Sequence, residues 1–291
     1  MPDFSSVRRR AFAPQARDGA LRMAIWAAAG ILFACAAWLM LDVAVRGAAG
    51  LDWRFLVDEP ARAGRAGGIG PILVSTGLIL AVAIAVAAPL GLAAAIFLAE
   101  FLPSGSRFAA WTSISLDVLA GIPSIVFGLF GNAFFSVWLG MGFSILSGGL
   151  TLACMILPLL IRTAEHGLRM VPDEWRHGAA ALGMSRFSSV WRIVLPAAGP
   201  AVTAGLLLGL GRATAETAAL VFTSGYVDRM PSSLLDSGRA LSLHIYDLAM
   251  NVAGGDRNAY ASALVLLLFL IVVNGLAMSF SDYLLRKRIA A

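Results

Sequence analysis

Apolar positions in this chain fall into long runs separated by short polar stretches. A helix needs about 20 apolar residues to cross a bilayer. Six runs reach that length: about Met23 to Val45, Ile69 to Phe101, Phe108 to Leu139, Ile145 to Glu165, Gly199 to Ser224 and Tyr260 to Leu285. They predict an all-α membrane protein with six transmembrane helices in one transmembrane domain, residues 23–286. A basic tail (1–22) precedes that domain and a short tail (287–291) follows it. Two connections on one side are long. Residues 46–68 are rich in charge, Gly and Pro. Residues 225–258 contain SSLLDSGRALSLHIYDLAMNV, whose partly amphipathic spacing fits an interfacial or re-entrant helix as well as a solvated loop with a short surface helix.

Composition agrees with lipid as the main solvent. Hydrophobic residues make up 59% of the chain and charged residues 13%, against roughly 25% charged in soluble domains. The net charge of +5 follows membrane orientation, and no RNA- or DNA-binding motif is present. With the N-terminus in the cytoplasm, fourteen basic residues fall on the cytoplasmic side, among them Arg8, Arg9, Arg10, Arg176, Arg186 and Arg192. Seven fall outside: Arg46, Arg54, Arg62, Arg65, Arg229, Arg239 and Arg257. That bias places both termini inside. The first run is too long for a signal peptide and reads as a retained span. The only lysine, Lys287, precedes Arg288, so the chain holds no Walker A loop. Cys35, Cys154 and the three histidines show no disulfide framework or metal-ligand spacing.

The polar stretch Val171 to Pro196 divides the fourth and fifth runs. Pro172 is placed to open a helix, with Asp173 and Glu174 in its first turn, where the helix dipole favours anions. Ala179 to Ala181 continue it, and Gly183 ends it or permits a close turn. Arg186 to Val194 reads as a second helix leading to Pro196. Such a knob suits insertion into a groove on a partner, or it is an ordinary connection between spans.

This stretch resembles the EAA loop of binding-protein-dependent ABC importer permeases, EAA-x3-G-x9-I-x-LP. Gly183, Ile193, Leu195 and Pro196 match in register, whereas His177, Gly178 and Ala179 stand where Glu-Ala-Ala is usual. The segments AGIPSIVFGLFG, GRATAETAALVFTSG, APLGLAAAIFLAEF and LSLHIYDLA resemble phosphate permeases of the PstA type. The resemblance implies a subunit of an ATP-driven phosphate importer in the bacterial inner membrane. It implies two copies of a cytoplasmic ATPase, a second permease chain and a periplasmic phosphate-binding protein as partners. The loop would be the coupling helix that docks on the ATPase. With His177 in place of the acid, Asp173 or Glu174 could supply the charge.

Two charges lie deep in the fifth run. Arg212 sits about 18 Å in from Pro200, at 1.5 Å per residue. Glu216 follows it at i,i+4, which puts the two on one helix face about one turn apart. Charges at that depth mark a pathway or a pair facing the bundle interior. Arginine suits an oxyanion because its planar fork donates two hydrogen bonds at once. Asp117 lies in the third run just before Gly121-Ile122-Pro123, where a kink or break is expected. It caps freed backbone groups or lines the pathway, while Arg162 is placed to snorkel to the cytoplasmic surface. No cofactor or catalytic constellation is indicated. The competing readings are a permease for another oxyanion (sulfate, molybdate or phosphonate) and a stand-alone secondary transporter or channel.

Overall fold

The computed structural model describes residues 13–103 and 105–289. Arg8, Arg9 and Arg10 of the basic tail lie outside them. Among the described residues, four helices are long and apolar enough to cross a membrane: α1 (Ala13–Ala48, apolar from Leu21), α3 (Gly70–Phe101), α6 (Ile145–Arg169) and α12 (Asp256–Ile289, apolar to Gly275). The other two spans are bent pairs. α4 (Arg107–Gly121) and α5 (Ser124–Trp138) meet at 98°, and α8 (Arg186–Ala197) and α9 (Gly199–Ala215) at 67°. The first bend falls at Ile122-Pro123, as the Gly-Ile-Pro sequence predicts, because proline removes a donor and excludes the residue before it from the helix. Among the described residues, three segments are wound as π-helix: Phe97–Phe101 ending α3, Asn132–Trp138 ending α5 and Val190–Val194 within α8. Nothing in the sequence signals them.

α6 is the axis of the bundle. Its Leu152, Ile156 and Leu160 are buried against Ile79, Ala83 and Ala87 of α3. Glycines let the backbones close. A Cβ on Gly91 of α3 would come within 2.7 Å of Leu160, and one on Gly131 of α5 within 2.0 Å of Thr151. Small residues at such crossings replace the hydrophobic driving force that lipid cannot supply. Several hydroxyls return to their own helix, as Thr151 Oγ1 does to the Ser147 carbonyl (2.8 Å) and Thr214 Oγ1 to that of Leu210 (2.7 Å), so they are satisfied away from water.

The outer connections are structured. Residues 46–68 form α2 (Trp53–Val57) and a two-stranded hairpin, β1 (Pro60–Ala61) and β2 (Ala66–Gly67). After α9 come α10 (Ala218–Val221) and then α11 (Leu241–Met250). α11 buries Leu241, Leu243, His244 and Leu248, so this stretch holds a packed helix rather than a solvated loop with a surface helix. The segment before α11 caps α6: the Asp236 and Leu234 carbonyls accept from the Ile145 (2.9 Å) and Leu146 (2.8 Å) amides.

Candidate substrate path and coupling loop

The fifth span does not continue through Arg212 and Glu216 as one helix. α9 ends at Ala215, and Glu216 turns to extended backbone (φ −71°, ψ 130°). The expected shared face is therefore lost. Glu216 Oε1 accepts from the Ala219 amide (3.2 Å) and starts α10, while its carbonyl accepts from Ser242 Oγ (2.5 Å). Thr217 is β-branched, but no Gly or Pro marks this break. Arg212 is exposed on α9 and makes no ion pair among the described residues.

Asp117 is brought to Arg162, not to Arg212. Arg162 Nη2 donates to Asp117 Oδ1 (2.6 Å) and to Ser113 Oγ (2.7 Å) and carbonyl (2.9 Å). Glu165 Oε2 lies 3.6 Å from Arg162. Arg162 thus fastens α4 to α6 rather than snorkelling freely. Asp117, Arg162, Glu165, His166 and Arg169 border a cavity of about 470 Å³.

The loop between α6 and α9 forms as its residues predict. α7 spans Asp173–Ala181 after Pro172, and Gly183 adopts φ +74° to turn the chain into α8. Only a residue without Cβ takes that conformation without cost. α8 begins at Arg186 with Ser185 Oγ accepting from the Ser188 amide (3.2 Å). Ala179 is buried against the body, and Ile193, Leu195 and Pro196 are half-buried. Glu174, His177 and Gly178 are exposed, with Trp175 and Leu182 (82% exposed) beside them. Those two apolar side chains escaped the motif because it has no fixed letter for them. Asp173 is taken up internally by Arg176 (3.1 Å), which leaves Glu174 as the free acid of this turn.

Arg176 and Glu100 are the residues that sequence reading missed. Glu100, 6% exposed, sits on the π-wound end of α3 and accepts from Arg176 Nη2 (2.6 Å) and Nε (3.2 Å). Arg176 also donates to the carbonyls of Leu168 (2.8 Å) and Val171 (2.5 Å). The hydrogen bond to Glu100 pushes the Arg176 pKa above the ordinary arginine value, outweighing burial. Nearby, Arg169 Nη2 donates to the Leu98 carbonyl (2.9 Å). These groups border a cleft of about 600 Å³ between α3, α7 and α8. Among the described residues no cluster of His, Cys, Asp or Glu could hold a metal ion.

Comparison with known proteins identifies this architecture. The family described as "Binding-protein-dependent transport system inner membrane component" matches residues 87–290. A probable ABC transporter permease protein, YqgI of Bacillus subtilis, is 28% identical over 278 residues, covering 90% of this chain and 94% of that one. Phosphate transport system permease protein PstA 1 of Mycobacterium tuberculosis is 36% identical over 214 residues, 72% of this chain and 69% of that one. PstA of Mycobacterium leprae is 33% identical over 247 residues, 81% and 79% of the two chains. The fold matches the MetNI methionine ABC transporter in an inward-facing conformation, with TM-score 0.56 at 15% identity over 75% of this chain and 95% of that chain. It also matches a bacterial ABC transporter involved in alginate import, with TM-score 0.53 at 16% identity over 93% and 99%. With its bent fifth span and two-helix loop, the chain belongs to the inner-membrane permease components of binding-protein-dependent transport systems.

Proposed function

We propose that this chain is one permease subunit of an ATP-driven importer that carries inorganic phosphate into the cytoplasm. One observation carries the reading: an exposed Arg212 guanidinium inside a span, with no ion-pair partner among the described residues, in a chain 36% identical over 214 residues to a phosphate transport permease. A charge at that depth is costly in lipid. A water-filled path shared with a second permease chain removes the cost and offers the fork to a passing oxyanion. Glu216 holds the break beside it. Asp117, through Arg162, anchors α4.

Glu174, Trp175, His177, Gly178 and Leu182 form the face that meets a cytoplasmic ATPase, one of two copies. Asp173, Ala179, Gly183, Ile193, Leu195 and Pro196 hold that face in shape. Closure of the ATPases on ATP moves α7, and the bundle turns from inward-open to outward-open. It then receives phosphate from a periplasmic binding protein. Both termini lie in the cytoplasm.

Radiolabelled phosphate uptake in cells lacking the chain is the test, with the chain restored and with excess sulfate or molybdate present. Restored uptake that ignores both competitors is expected. Arg212→Gln should abolish uptake while the complex still assembles. Normal uptake by that variant removes Arg212 from the path, and competition by sulfate or molybdate reassigns the substrate.

A further inference from the structure

We infer that the Arg176–Glu100 pair is the strut through which movement of the coupling helix reaches the transmembrane bundle; this rests on the proposed role of α7 in docking an ATPase. A guanidinium has five N–H donors in a fixed plane. In Arg176 every one is engaged. Nε and one Nη2 hydrogen go to Glu100, the other Nη2 hydrogen goes to the Leu168 carbonyl, and Nη1 serves Val171 and Asp173. One side chain on α7 thus grips the end of α3, the end of α6 and the link between α6 and α7.

The partners sit where a displacement must pass. Leu168 is in the last turn of α6, the axis of the bundle. Glu100 lies on the π-wound end of α3, and single π turns recur at functional positions. α3 and α6 carry most of the buried core. α7 itself buries only Ala179, so apolar packing alone ties it weakly to the body. A planar, fully bonded fork resists shear, whereas an apolar contact slides. The same pull on α6 is carried to Arg162, which holds α4 through Asp117.

Two measurements on the assembled transporter test this. In proteoliposomes with the phosphate-loaded binding protein, Arg176→Lys and Glu100→Gln should still assemble and hydrolyse ATP. Phosphate moved per ATP should fall about fivefold or more, the scale of a lost coupling between sites. An unchanged ratio, including one in which both rates fall together, overturns the strut. The second measurement places spin labels at Phe101→Cys and Ala180→Cys, after replacement of Cys35 and Cys154. Their separation should be the same in the nucleotide-free and ATP-trapped complex and should spread in Arg176→Lys. A separation that changes on ATP trapping with Arg176 intact also overturns it. If the unmodified transporter moves no phosphate, the proposed substrate is wrong, and the label distances still decide the strut.

Discussion

Arg176 and His244 show how one buried side chain is settled by its neighbours. The His244 ring is 1% exposed on α11, outside the spans. Arg239 Nη1 lies 3.4 Å from its Nδ1, and Asp247 Oδ2 lies 3.4 Å from the same Nη1, with Asp228 beyond at 4.0 Å. Burial first, then the Arg239 charge, pushes the His244 pKa down to about 4 against a smaller opposing pull from Asp247. The unfolded chain therefore binds a proton near pH 6.5 that the folded chain refuses until about pH 4. Stability from this site is complete above pH 6.5 and is lost as pH falls toward 4, by at most about 3 kcal/mol at 1.36 kcal/mol per unit. Melting of the purified transporter at pH 7 and pH 4.5 should show a smaller acid loss in His244→Gln than in the unmodified protein; equal losses would refute it. Neither residue was legible in the sequence as a structural centre. Arg176 and Glu100 are 76 positions apart, and a basic residue in a cytoplasmic loop reads first as an orientation signal. Arg212 stood out in the sequence because a charge within an apolar run calls for either a pathway or a paired partner.

Whole elements were easier to read than their interruptions. Apolar length alone marks the spans, and Gly121-Ile122-Pro123 marks the 98° bend. The break after Ala215 carries no such mark, because Glu216 and Ser242 supply the bonds that a helix would otherwise make. The tight turn between α7 and α8 was visible in Gly183. A Cβ there would meet nothing within 4 Å, so substitution strains the backbone alone. Gly183→Val should cost the turn about 1–3 kcal/mol, and Gly183→Asn less, since Asn tolerates the left-handed region. Amide hydrogen exchange across residues 173–189 should rise in that order, valine above asparagine above glycine. Equal exchange in the three would mean that the turn is held by α8 packing instead.

At the scale of the molecule, the exposed surface is as informative as the core. Trp26, Phe33, Trp38 and their neighbours on α1 are exposed, and Gly47 sits where a Cβ would come within 2.6 Å of the Tyr260 carbonyl of α12. The orientation argued from basic residues predicts opposite reagent access for two exposed leucines. In a variant without Cys35 and Cys154, Leu235→Cys should react in intact cells with a membrane-impermeant thiol reagent. Leu182→Cys, expressed without the ATPase that would cover it, should react only after permeabilisation. The reverse pattern would invert the assigned topology. The capping of α6 by Leu234 and Asp236 also bears on biogenesis. Synthesis runs from the N-terminus, so α6 enters the bilayer before its cap has been made. Until residues 234–236 have been made and folded back, the first amides of the central helix need headgroup water or an insertion factor as their acceptor. The middle of the bundle is thus completed by a segment translated later, and a ribosome stalled between them leaves a span that is inserted but unfinished.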